Sequence, residues 1–141
     1  MIHVFKQKYR LIESIIKKDL ILYMTKMDDI TLVAITFTIV GMTEIIMGIP
    51  LLYQKIKPNW LYGFRLPSTV SNKEVWYKIN VHTGRGFIYA GIILVISSLF
   101  LLMFDLNLSL TELSLILLIM LLVPLNAVLV SGFLYLKKLK K

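Results

Sequence analysis

"ITLVAITFTIVGMTEIIMGIPLLY", residues 30–53, is 24 residues long and carries one acidic side chain, Glu44, and no Lys or Arg. A helix rises about 1.5 Å per residue, so a run of this length exceeds the roughly 30 Å hydrocarbon core of a bilayer. Two more runs of the same kind follow, at 86–104 and 113–136. Lipid offers the backbone no hydrogen bonds, so such runs are satisfied as helices. The composition agrees: 57% of the 141 residues are hydrophobic and only 17% are charged, against about a quarter in soluble chains. The fold class expected is all-α, an integral membrane bundle of three transmembrane helices.

The charge of +8 does not point to nucleic acid, because the basic residues flank the apolar runs. Lys55, Lys57, Arg65, Lys73, Lys78 and Arg85 lie in the first connection (54–85), and Lys137, Lys138, Lys140 and Lys141 form a basic tail (137–141). The second connection, "DLNLSLTE", holds no Lys or Arg. The positive-inside rule therefore puts the long connection and the C-terminus in the cytoplasm of a multi-pass cell-membrane protein. Lys6, Lys8, Arg10, Lys17, Lys18 and Lys26 at the other end oppose that count. Cysteine is absent, so no disulfide or thiolate metal site exists. HExxH, a nucleophile elbow and a phosphate-binding Gly loop are missing as well, and neither His3 nor His82 has a spaced partner. No catalytic residue, metal or cofactor is assigned.

Residues 1–29 are too charged for a span. Phe5, Tyr9, Ile12, Ile16, Leu20, Tyr23 and Met27 follow helical spacing beside Lys6, Arg10, Glu13 and Lys17. The expectation is an amphipathic helix in the membrane interface, with Met24 and Met27 as alternative starting points for translation. Lys8, Asp19 and Lys26 interrupt its apolar stripe.

The connection between spans 1 and 2 is the densest part of the chain in chemistry: "PNWLYGFRLPSTVSNKEVWYKIN", residues 58–80. Pro58, Gly63 and Pro67 oppose regular helix, and Trp60 and Tyr62 suit a membrane–water boundary. Ser71 stands three residues before Glu74, the spacing of a capping box, and Glu74 and Lys78 form an i,i+4 pair. The helix so started places Trp76, Asn80 and Thr83 on one face, runs along the membrane surface and bends at "TGRG" into span 2. Read without further context, the aromatics are an interfacial belt and the basic residues set topology.

Asn59, Gly63, Arg65, Pro67, Thr69, Asn72, Trp76, Asn80 and Gly84 fall in the order N-x-x-x-G-x-R-x-P-x-T-x-x-N-x-x-x-W-x-x-x-N-x-x-x-G. This order resembles the SdpI family of small membrane proteins over about residues 30–136, with Phe64 and Leu66 departing from the usual Tyr and Thr. The resemblance implies immunity to a secreted killing peptide, or signalling by holding a regulator at the membrane. Arg65 would then be central, because its planar donor fork suits a carboxylate, a phosphate headgroup or backbone carbonyls. Partners implied are the bilayer, a toxin peptide and a cytoplasmic regulator. A second possibility keeps the motif purely structural, tying the connection to the bundle.

Glu44 raises a third, since ionisable residues within a span are expensive and suggest function. Counted from the cytoplasmic ends, Glu44 lies roughly 13 Å deep, Asn126 roughly 15 Å, and Ser97 and Ser98 roughly 17 Å. The expectation is that Glu44, Asn126 and one serine meet inside the bundle, beside the Met120 carbonyl that Pro124 frees. Gly41 and Gly48 would admit another helix close to Glu44. Such a layer would serve a small transporter or lipid-handling component, which with three spans would work as a homo-oligomer.

Overall fold

A computed structural model describes residues 2–104 and 106–139, apart from the side chains of residues 2–4 and 26–28. The side chains of His3, Lys26 and Met27, and the tail residues Lys140 and Lys141, lie outside the described residues. Four helices follow in order: α1 (Ile2–Leu52), α2 (Pro67–Val70), α3 (Lys73–Met103) and α4 (Leu110–Leu139). Three of them, α1, α3 and α4, are long and apolar enough to cross a membrane.

The N-terminal helix is present, and it runs without interruption into the first span. With 51 residues α1 is about 77 Å long, more than twice a bilayer core. Only its second half packs: the described side chains from Phe5 to Thr25 are all exposed, whereas Ala34, Gly41, Glu44, Gly48 and Leu51 are buried.

The α1–α3 seam has a strict period. Ala34, Gly41 and Gly48 recur every seven residues on α1, as do Gly84, Gly91 and Ser98 on α3. The two sets run antiparallel, Gly48 against Gly84 and Gly41 against Gly91. A Cβ on Gly48 would stand 2.6 Å from the Gly84 carbonyl oxygen, and one on Gly41 would stand 2.8 Å from that of Gly91. The backbones therefore touch, which is how helices associate where lipid removes the hydrophobic drive between them. A seven-residue repeat keeps such a seam in register along a left-handed pair. Helix α4 packs on the far side of α3, with Gly86 against Val128 and Gly132 against Thr83. Ile39, Ile46, Ile96, Phe100, Leu129 and Phe133 remain on the outer faces, where lipid covers them.

Two local readings of the sequence change. Helix α3 continues through "TGRG", because Gly84 and Gly86 serve close packing against α1 and α4 and do not break the helix. Its N-cap is Asn72, not Ser71: Asn72 Oδ1 accepts from Glu74 N at 3.0 Å and Val75 N at 3.1 Å. Both residue types cap well, and Asn72 covers two of the orphan amides at once. Glu74 and Lys78 do pair, at 2.6 Å on an exposed face.

Candidate functional site

Residues 53–80 fold over one end of the bundle as a cap, and each step of its path has an identifiable cause. Helix α1 ends in a Schellman turn, with Lys55 N donating to Pro50 O (2.9 Å) and Gln54 N to Leu51 O (3.2 Å). Gln54 takes the left-handed position, φ 56°, usually held by glycine. Asn59 then folds the chain on itself. Its Oδ1 accepts from Leu61 N and Tyr62 N at 2.7 and 2.8 Å, and its Nδ2 donates to Lys57 O at 2.7 Å. This is an Asx turn, the side chain standing in for backbone.

Gly63 has φ 103°, and a Cβ there would collide with Asn80 Oδ1. The absence of a side chain lets Asn80, buried in α3, accept from Phe64 N at 2.6 Å while its Nδ2 donates to Trp76 O at 2.9 Å. Phe64 is thereby aimed between the helices, edge-on to Phe133 with ring centroids 5.2 Å apart and against Gly132 of α4. Arg65 turns back: its Nη1 donates to Trp60 O (2.8 Å) and Leu61 O (2.9 Å), the backbone-carbonyl option among the partners its fork could take.

Pro67 opens α2 at its first turn, where a missing N–H costs nothing. Thr69 is fully buried; its hydroxyl accepts from Leu66 N at 2.9 Å and reaches Phe64 O at 2.9 Å. After the Asn72 cap, Trp76 is also fully buried, with Nε1 donating to Ile56 O at 2.9 Å. Trp76 is thus a core residue that holds the returning loop, not a side chain lying in the headgroup layer. Gly84 closes the set against Gly48. All nine motif positions belong to one assembly, and every polar side chain among them bonds to the chain's own backbone.

The intramembrane residues behave differently. Glu44 is 8% exposed and faces Gly91 of α3, and no group among the described residues hydrogen-bonds it. Ser98 is buried but bonds Thr38 Oγ1 at 2.8 Å, six residues and about 9 Å along α1 from Glu44. Ser97 is half-buried one position away, on a different face from Ser98. Asn126 is exposed and donates to Leu122 O of its own helix at 2.8 Å. The expected meeting of Glu44, Asn126 and a serine therefore does not occur. The Gly86–Val128 contact puts Asn126 near the level of Glu44, but α4 is rotated so that this residue faces outward.

Three contributors escaped the sequence reading. Thr38 was hidden because threonine is unremarkable in an apolar helix. Tyr62, whose hydroxyl donates to Met47 O, was assigned to the membrane boundary alone. His82 stacks on Tyr135 (centroids 4.5 Å, 15° between planes) and lies 3.3 Å from Ser131 Oγ, so α4 supplies partners that no local spacing announces.

The SdpI/YfhL protein family matches this chain over residues 55–133, more than half of its length. The matched segment contains nearly the whole cap, α3 and most of α4, and α1 precedes it. No curated protein and no solved structure matches the chain.

Proposed function

Because the chain belongs to the SdpI/YfhL protein family, we propose that it is a non-enzymatic membrane protein conferring immunity to a secreted killing peptide and signalling by holding a regulator at the membrane. The cap supports this reading best. Its polar side chains fix its own backbone, so the outer surface is a rigid knob. On that knob Trp60 and Leu61 are 60% and 88% exposed, Arg65 bonds both of their carbonyls, and Lys55, Lys57 and Lys73 are exposed on the same segment. An aromatic and an aliphatic anchor on a basic segment suits an acidic protein surface, and Trp and Arg are the residues that most often dominate such contacts. The partner is a protein and not nucleic acid, and the knob faces the cytoplasm, in keeping with the basic residues around it.

Topology is the first test. Single Ser71→Cys and Ser109→Cys chains, in a protein with no native Cys, are exposed to a membrane-impermeant thiol reagent in intact cells. Labelling of Ser109→Cys alone agrees with a cytoplasmic knob, and labelling of Ser71→Cys alone rejects it. The immunity reading is tested by expressing the chain in a susceptible bacterium challenged with a peptide-producing strain. Survival should rise, and unchanged killing at verified expression rejects immunity.

One observation favours a second reading, a small transporter or lipid-handling component: Glu44 is buried in a span without a hydrogen-bond partner among the described residues. Proton-coupled flux in proteoliposomes, abolished in Glu44→Gln, would establish it, and identical flux in both chains would exclude this role for Glu44.

A further inference from the structure

Beside the α3–α4 contact, on the cap side of the bundle, two polar ridges border one groove. Lys78, His82 and Arg85 stand at i, i+4 and i+7 on α3, and Ser131, Tyr135 and Lys138 have the same spacing on α4. That spacing sets each trio on one face of its helix. His82 joins the two: its ring stacks on Tyr135, with centroids 4.5 Å apart, and its Nε2 lies 3.3 Å from Ser131 Oγ. Helix α1 meets α3 at Gly84 and Gly91, which helical spacing puts on the opposite face from His82. The groove is therefore open to lipid.

Its level matches the membrane edge. From the end of α3 at Met103, Arg85 lies about 27 Å and His82 about 32 Å along the helix. Ser131 lies about 32 Å from the start of α4 at Leu110. A hydrocarbon core of about 30 Å ends between these positions, so the groove opens at the level of lipid phosphates.

The donors around it converge. Helical side chains lean toward the N-terminus of their own helix. Helices α3 and α4 are antiparallel, so Arg85 leans toward the cap and Lys138 away from it, both toward the His82–Ser131 contact. Arg85, Lys138 and the Tyr135 hydroxyl have no hydrogen-bond partner among the described residues. Lys78 is already held by Glu74 at 2.6 Å, the one acidic side chain in residues 53–85 and 131–139. Ser131 Oγ donates to Val128 O of its own helix at 2.9 Å, a local bond that it can exchange for a stronger one to an anion.

We propose that this groove binds the phosphate of an anionic phospholipid. Arg85 supplies a planar fork, Lys138 a second charge, and Ser131 and Tyr135 hydroxyl donors, while the stacked His82 holds the two helices in register. Basic pockets between spans take up such headgroups, and the fork of Arg suits phosphate. Free inorganic phosphate shares this chemistry. The groove's place at the edge of the hydrocarbon favours the lipid, whose acyl chains have exposed Tyr89 and Ile93 of α3 to follow. The site is independent of the immunity reading.

The test uses the full chain in a neutral detergent, titrated with phosphatidylglycerol or with phosphatidylcholine of the same acyl chains. Native mass spectrometry counts the lipids retained. Saturable retention of phosphatidylglycerol is expected, at least about fivefold tighter than that of phosphatidylcholine. Arg85→Gln should weaken it about tenfold and Ser131→Ala about threefold. Lys57→Gln removes an equal charge from the cap and should leave the affinity unchanged. Unchanged affinity in Arg85→Gln overturns the proposal. An equal loss in Lys57→Gln also overturns it, because binding then follows net charge alone. A second arm adds inorganic phosphate at millimolar concentration. Retention of the lipid is expected, and its release assigns the groove to free phosphate and rejects the lipid. Helicity and the lipid-free unfolding midpoint, unchanged in each variant, show that the fold is retained. If Arg85→Gln misfolds, Lys138→Gln takes its place, with a several-fold loss expected and unchanged affinity again rejecting the site.

Discussion

The cap and the middle of the membrane treat polar side chains in opposite ways. In the cap, Asn59, Arg65, Thr69, Asn72, Trp76 and Asn80 all bond to backbone groups that an irregular path would otherwise leave unpaired. In the spans, Ser98 and Thr38 join two helices, Asn126 serves only its own helix, and Glu44 has no partner among the described residues. The difference teaches where polarity is structural. A loop must replace the hydrogen bonds that a helix makes for itself, whereas a spanning helix arrives already satisfied. Polar residues in the cap are therefore needed for the fold, and those in the spans are optional to it.

Variants can break this contrast. The largest loss is expected at Trp76, whose ring fills the junction of cap and bundle. Trp76→Ala should lower stability by about 3–5 kcal/mol, measured by unfolding in mixed detergent micelles. A loss below about 1 kcal/mol would mean that the cap is loosely attached, and the contrast with the spans would fail. Asn80→Ala comes next, at about 1–3 kcal/mol, because it leaves the Phe64 amide without its partner. Exchange of the Phe64 amide should quicken in the same variant. Unchanged exchange would show that another group takes over from Asn80.

These residues were legible in the sequence because each has one backbone task at a fixed position. Gly63 must take φ 103° beside Asn80, Pro67 must start a helix, and Asn59 must close a turn on the next three residues. Local chemistry dictates such tasks, and spacing records them. The number of spans was equally legible, since hydropathy and length settle it. The rotation of each span was not. Asn126 was placed at the right depth but on the wrong face, because α4 is set by Gly86 against Val128 and Gly132 against Phe64. Those contacts join residues more than forty positions apart. The seam between α1 and α3 was half legible: Gly41 and Gly48 stood out, but their partners Gly84 and Gly91 had to be found on another helix. The cap of α3 was placed one residue early, at Ser71, for a smaller reason, since neighbouring residues of similar capping tendency differ only in their final backbone angles.

Gln54 offers a gain in the cap. It occupies the left-handed position of the Schellman turn with a Cβ, a conformation that costs roughly 1–2 kcal/mol outside glycine. Gln54→Gly should therefore raise stability by about 1 kcal/mol in the same detergent assay, glycine's greater unfolded-state freedom taking back part of the relief. A fall would show that the Gln54 side chain contributes a contact beyond the turn. In the spans, Thr38→Val should cost only about 0.6 kcal/mol, the average worth of a hydrogen bond between membrane helices, with Ser98 left to bond Val95 O.

Asn126 gives the smallest expected effect and the sharpest distinction. Its amide donates to Leu122 O one turn back on α4 and is exposed on the lipid side of the bundle. Replacing it with Leu removes a bond to a carbonyl that the helix ladder already satisfies and presents lipid with an apolar side chain. The two effects offset, so Asn126→Leu should stay within about 0.5 kcal/mol of the parent. A polar layer joining Asn126 to Glu44 would respond otherwise, because losing one partner strands a buried carboxyl and costs about 1–3 kcal/mol or more. The same variant in a Glu44→Gln background makes a double-mutant cycle. Additive effects mean that the two residues act independently, as their opposite faces require. Coupling above about 1 kcal/mol would bring Asn126 into the bundle and restore a shared site at that depth.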